Sequence, residues 1–158
     1  MNATHDVHAE TNPGYCAVSI AHFVKAYREV SYQDPILALA YIALPLILSD
    51  DLSSTFEGCN AQTGLLMWLE RNPRITVRLG SRINPSLPIC TDAIRYGCFS
   101  GILLLNQTGN LVAGPDKLPT EKAANIASGA FKRARLLGRW FGGVGSARAV
   151  CEFLGVSI

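Results

Sequence analysis

The sequence predicts a mainly helical fold with one β-hairpin: a winged-helix-like domain with flanking helices over residues 12–158, preceded by a tail over 1–11. Three observations lead there. Apolar residues recur at helical spacing along most of the chain, in segments opened by Asn-Pro or Asp-Pro. The period changes once, near residue 102, to two short apolar runs separated by a turn. Short helices that run directly into such a hairpin follow the element order of a winged helix-turn-helix.

The tail is polar and acidic and has no secretory-signal pattern. Asn12-Pro13 then supplies a cap and a first-turn proline, and Ala17, Ile20, Ala21, Val24 and Tyr27 carry a helix to about Val30. Asp34-Pro35 repeats that signature ahead of an apolar helix over 35–48, where Pro45 predicts a kink or early stop. Fourteen helical residues reach only about 21 Å against a hydrocarbon core of roughly 30 Å, so this is a core helix and no membrane span is expected. Residues 50–60 read as a polar loop, and Ala61–Arg71 as a helix burying Leu65, Leu66, Trp68 and Leu69.

Asn72-Pro73 predicts a fourth helix to about Ile83, Pro85 and Pro88 a link, and Thr91–Cys98 a short helix. The runs Ile102–Leu105 and Leu111–Ala113, with Gln107–Asn110 between them, predict the hairpin. A helix follows from about Thr120 to Phe141. Gly142-Gly143 breaks it, Ser146 caps a last helix and Gly155 ends that one.

Charged residues make up 16% of the 158, against about 25% in an average soluble domain. A chain this short of charge exposes apolar surface, which points to burial against partners. Residues 1–70 carry a net −6 and residues 71–158 a net +8. The basic half is thus suited to an acidic partner, such as nucleic acid or an acidic protein surface, or to docking on the acidic half of its own chain. Five cysteines, an odd number without a Cys-x-x-Cys pair, support neither a zinc site nor a disulfide framework, and they favour a reducing, cytoplasmic setting.

Catalytic chemistry finds few candidates. A Ser or Cys nucleophile needs a base, most often His. The histidines are His5 and His8 in the tail and His22 within the first helix, where it reads as a surface or core residue. Asp50-Asp51 has no evident partner carboxylate. The glycine-rich stretch Gly138–Ser146 lacks the lysine of a phosphate-binding loop and follows a helix instead of a strand. No catalytic residue, cofactor or metal site is read from the sequence.

Two basic stripes remain. Arg71, Arg74, Arg78 and Arg82 recur at three and four, lining one helical face suited to DNA or an acidic partner. Lys132, Arg135 and Arg139 do the same further on, with Arg133 beside them, and Trp140 and Phe141 follow as candidate anchors of a partner interface. A solvated helical face is the plain alternative for either stripe, and core closure for the two aromatics.

Several short motifs occur in a fixed order: Asn12-Pro13-x-Tyr15-Cys16, Leu44-Pro45-Leu46, Trp68-Leu69 before Asn72-Pro73, Lys132-x-x-Arg135-x-Leu137-Gly138-Arg139-Trp140-Phe141, and Leu154-Gly155-Val156. In this combination the chain resembles the middle component of three-component ABC systems, small subunits encoded between an effector and an ATPase of the chromosome-maintenance (SMC) type. Lamassu anti-phage systems contain a subunit of this kind. The resemblance implies a non-catalytic adaptor that bridges an SMC-like ATPase and an effector, often a nuclease, held inactive until invading DNA is sensed. It carries over no catalytic residues. The alternative is a stand-alone winged-helix DNA-binding regulator whose recognition helix, Thr91–Cys98, would offer mainly Asp92 and Arg95 to base edges.

Overall fold

In the computed structural model, which describes residues 12–121 and 129–157, the helix expected after Asn12-Pro13 runs over Pro13–Ser31 (α1). The Asn12 side chain accepts from the Tyr15 N–H at 3.1 Å, so the cap forms as the sequence predicts. The expected tail over 1–11 and the two histidines in it lie outside the described residues. Beyond α1 come α2 (Leu37–Leu48), a 3-10 segment (Asp50–Phe56), α3 (Gly64–Arg71), the single turn α4 (Arg74–Val77) and α5 (Leu79–Ser100). The hairpin β1 (Leu103–Leu105) and β2 (Leu111–Ala113) and the helices α6 (Ala130–Val144) and α7 (Ala147–Leu154) complete the order. The fold is mostly helical with one antiparallel two-stranded hairpin.

The centre of the fold is the packing of α6 on α1. Two glycines one turn apart, Gly138 and Gly142, let the two backbones approach. A Cβ on Gly138 would strike the Phe23 carbonyl and lie 2.9 Å from the Ala26 Cβ, and one on Gly142 would lie 2.7 Å from the Tyr27 carbonyl oxygen. Between them Phe141 meets Phe23 edge-on, with ring centroids 5.4 Å apart. On the far side of α6, Trp140 stacks on Phe56 at 5.8 Å and lies 5.5 Å from Trp68, so the 3-10 segment and α3 close the core there. Both indoles keep a hydrogen bond: Trp140 donates to the Asn60 carbonyl at 3.0 Å, and Trp68 to the Thr55 hydroxyl at 3.1 Å.

Several boundaries differ from the sequence reading. Asp34 does not cap α2, which starts at Leu37 without a side-chain cap. Asp34 instead pairs with Arg28 at 2.6 Å and accepts from Asn106. Pro45 neither stops nor ends α2, because residues 42–48 are all buried and tertiary packing outweighs the lost backbone bond. The expected polar loop after it is largely the 3-10 segment, which buries Leu52 and Phe56. A helix does start after Asn72-Pro73, but it is the single turn α4, which ends before Arg78 instead of running to Ile83. Asn72 does not cap it: its amide donates to the Trp68 carbonyl at 2.9 Å and finishes α3.

The largest correction concerns 79–100, which form one helix across Pro85 and Pro88. The short recognition helix expected at Thr91–Cys98 is the second half of α5, and the stretch that would have been a turn is helical. Both prolines are exposed, as are Ser81 and Asn84, the residues whose carbonyls lose an amide partner, so water can satisfy those carbonyls. The hairpin follows α5 directly, as a wing would. Leu103 pairs with Ala113, Leu104 with Val112 and Leu105 with Leu111. Its turn is organised by Asn106, whose side-chain oxygen accepts from Thr108 N and Asn110 N at 3.0 and 2.9 Å.

Helix α6 begins at Ala130, not Thr120. Thr120 and Glu121 are not helical, and 122–128 lie outside the described residues. Gly142-Gly143 does not break it, since Gly142 is buried against α1 and the helix ends at Gly145. Ser146 and Gly155 act as the sequence predicts. The Ser146 hydroxyl accepts from Ala149 N at 3.1 Å, and Gly155 closes α7 with φ of 71°. Among the described residues no single helix is long and apolar enough to cross a membrane.

Candidate functional site

The four arginines spaced three and four apart do come together. Arg71 ends α3, Arg74 lies in α4, Arg78 stands between α4 and α5, and Arg82 occupies the first turn of α5. They do not share one helix as expected, but all four line a groove of about 650 Å³ whose other wall is the 3-10 segment. Asn72 and Pro73 turn the chain between α3 and α4, so the stripe wraps around the groove instead of running straight.

Within the groove the arginines differ. Arg82 grips Asp51 through two nitrogens at 2.6 and 3.0 Å and also donates to the Ser49 hydroxyl at 3.0 Å. Those hydrogen bonds, with the charges of Arg82 and Arg78 adding to them, hold the Asp51 carboxyl below its ordinary pKa. Arg71, Arg74 and Arg78 are exposed and form no ion pair among the described residues. Asp51 is already committed to Arg82, so the groove keeps three cations for an incoming anion. Val77 stands beside them, 83% exposed.

The second stripe is largely spent inside the molecule. Arg135 lies 3.7 Å from Glu121 and Arg139 3.7 Å from Glu29, while Lys132 stays exposed with its backbone N–H on the Glu121 carboxylate. Arg133 is buried, donates from Nε to the Ile47 carbonyl at 2.9 Å and approaches Asp50 at 3.8 Å. It satisfies a carbonyl of the last turn of α2 and places a positive charge at that helix's negative end. Arg82–Asp51, Arg133–Asp50 and Arg139–Glu29 all join the basic half to the acidic half. Much of the charge asymmetry is therefore docking within the chain.

Trp140 and Phe141, read as anchors of a partner interface, are 2% and 0% exposed. In this chain both close the core, and neither can insert into a partner. Trp140 is nonetheless the floor of a second groove of about 460 Å³ between α3, α6 and α7, where Arg139 forms part of the rim. Its exposed large apolar residues are Val30, Leu66, Met67 and Phe153. The sequence reading had placed Leu66 in the core, yet it is 51% exposed. The signal was available: α3 buries Leu65, Trp68 and Leu69, and a fourth residue at position 66 falls outside that arc of the helix.

The remaining candidates serve the fold. His22 is buried, stacked on Phe131 at 4.8 Å, with Nε2 2.7 Å from the Pro119 carbonyl and Nδ1 3.5 Å from Arg135. The contacts fit a neutral ring that donates from Nε2 and accepts at Nδ1, and burial accordingly pushes its pKa down. Cys16, Cys90 and Cys151 are buried, and burial, with Cys16 nearby, pushes the Cys90 thiol up to about 12. Among the described residues no group of His, Cys, Asp and Glu is placed to hold a metal.

The comparisons with known proteins agree with the order of short motifs. No curated protein and no solved structure matches the chain. Residues 2–158, nearly its full length, match the family described as ABC-three component (ABC-3C) system Middle Component 3. The chain belongs to that family of middle components.

Proposed function

We propose that this middle component is a non-catalytic adaptor that joins an SMC-like ATPase to an effector, a nuclease in the fullest form of the reading, within a cytoplasmic anti-phage complex of the Lamassu kind. The observation that carries the proposal is membership of a family of middle components, which presupposes other components to bind. Two surfaces of different chemistry suit such a role. One is the groove with three uncommitted arginines, the other the groove of Leu66, Met67 and Phe153 over Trp140.

In this reading the apolar groove seats a partner subunit and the arginine groove meets an acidic partner surface or the phosphates of double-stranded DNA held by the complex. To transmit a signal, the adaptor must bind the resting and active arrangements of its partners with different free energies. Arg82 belongs to the framework of the groove, so the test uses the other three arginines. Changing Arg71, Arg74 and Arg78 to Glu should weaken DNA binding by the assembled complex and reduce the slope of log affinity against log salt by about 2 to 3. An unchanged slope would remove DNA from the groove.

The stand-alone regulator remains the second reading, because the hairpin follows α5 as a wing follows a recognition helix. It predicts sequence-specific DNA binding by the isolated chain, with Arg95 on the exposed side of α5 as the base-reading group.

A further inference from the structure

Of the 14 Lys and Arg in the chain, four arginines line one groove of about 650 Å³. Asp51 is the one acid among the described residues of its wall, and Arg82 holds both of its oxygens, at 2.6 and 3.0 Å. Four guanidiniums against one carboxylate leave the groove at +3. Arg71, Arg74 and Arg78 are exposed and form no ion pair among the described residues. Like charges gathered around one concavity repel each other in the free chain, and the fold holds them there nonetheless. Buried Leu52 and Ile75 tie the wall to the core.

The placement of the three arginines narrows the anion they suit. Arg71 ends α3, Arg74 lies in α4 and Arg78 stands between α4 and α5, so they extend from three places around the turn at Asn72-Pro73. A carboxylate offers two oxygens in one plane, and a single guanidinium fork engages both, as Arg82 does with Asp51. A phosphate presents oxygens in several directions, so donors from different walls can share it. Linked phosphates also bring several charges on one short backbone. Acidic side chains of a protein supply the same charge only after each is ordered separately, at a cost in conformational entropy. The neutral polar residues of the wall already serve the fold: Thr55 donates to the Leu52 carbonyl at 2.6 Å and Asn72 to the Trp68 carbonyl at 2.9 Å. The guanidiniums are the main donors the groove offers, and its volume falls in the range of roughly 300–1,000 Å³ usual for small-ligand sites.

We infer that this groove is a binding site for two or three linked phosphates, held by Arg71, Arg74 and Arg78 against the fixed Arg82–Asp51 pair. A free polyphosphate of nucleotide type and the backbone of a nucleic-acid strand share this chemistry. Recognition is by charge and carries no base preference. The inference deepens the arginine groove of the adaptor reading and rests on that reading only for its setting in an assembly. The site itself belongs to the single chain.

The test uses the full chain alone, with four probes: tripolyphosphate, a single-stranded oligonucleotide, a duplex of the same length and a glutamate-rich peptide. Excess tripolyphosphate should raise the melting temperature by about 5 °C. It should also slow hydrogen exchange across residues 71–78 of the parent, a reading that needs no variant. Changing Arg71, Arg74 and Arg78 together to Gln should weaken tripolyphosphate binding at least about 100-fold. Without ligand, that variant should melt within about 3 °C of the parent, because all three side chains are exposed. Arg95→Gln, an exposed cation in the second half of α5, should leave binding unchanged.

Tripolyphosphate binding with no affinity for either oligonucleotide assigns the groove to a small ligand. Strand or duplex binding with a slope of log affinity against log salt of about −2 to −3, lost in the triple variant, assigns it to nucleic acid. A glutamate peptide that binds as tightly as tripolyphosphate would overturn the inference in favour of an acidic protein. Failure of every phosphate probe, or binding that the triple variant retains, would overturn it as well. Recovery of partner subunits is a separate measurement, so the adaptor reading stands or falls independently of this result.

Discussion

At Gly138 the backbone of α6 lies directly against the Phe23 carbonyl of α1, which is why a residue with no side chain stands in the middle of an otherwise bulky motif. Leu137, Gly138, Trp140 and Phe141 are all buried, and Arg139 alone points outward to Glu29. A motif that looked like an interface is a packing signature. Gly138→Leu should therefore destabilise the chain by about 3 kcal/mol or prevent folding, a result that denaturant unfolding would report. Smaller losses would mean that the two helices can separate without cost. His22 makes a second prediction. Its folded-state pKa lies below the ordinary 6.5, so between those two values the unfolded chain binds more protons. Its contribution is complete above pH 6.5 and is lost as pH falls through that value toward the folded pKa. Protonation would place a second positive charge on Nδ1 facing Arg135 and near Lys25, with Glu121 as the nearby acid. Melting curves should show a downward step below pH 6.5 that His22→Gln lacks. A step of the same size in both proteins would assign it to other groups.

Among the elements, those with strong local signals were readable from the sequence and those decided by distant contacts were not. Asn12, Ser146 and Gly155 act where their chemistry predicts, because a cap is satisfied within three or four residues. Ser146→Ala should accordingly cost about 1 kcal/mol, seen as a lower denaturation midpoint with an unchanged denaturant slope. The prolines misled for the opposite reason. Pro85 and Pro88 look like breakers, but α5 buries Leu79, Ser86, Cys90, Ala93, Ile94 and Gly97 on one face while both prolines face solvent. That burial is set by α1, α2 and β1, and no local rule contains it. The arginine stripe shows the same limit: spacing found all four residues, but only the fold shows that Arg82 is committed to Asp51 and that the stripe bends around a groove.

For the whole molecule, the shortage of charge is matched by apolar side chains left in water, with Phe99 95% exposed and Leu66 and Leu105 about half exposed. The groove over Trp140 is where an adaptor reading places a partner, and Leu66 is the residue to change because it reaches solvent while Trp140 holds the core. Leu66→Asp should leave stability within about 0.5 kcal/mol of the parent, as expected for an exposed site. The same change should lower partner recovery about tenfold or more, the loss expected for truncating a buried interface anchor. Trp140→Ala, by contrast, should cost about 3 to 5 kcal/mol whether or not a partner is present.

The central claim is that this chain works as a component of an assembly. The measurement that tests it most directly is co-purification of the tagged chain expressed with its neighbouring genes, followed by mass analysis of the isolated complex. The account predicts an SMC-like ATPase and a second, effector protein recovered with it at fixed stoichiometry. A stable monomer that recovers neither protein and binds specific DNA on its own would contradict it.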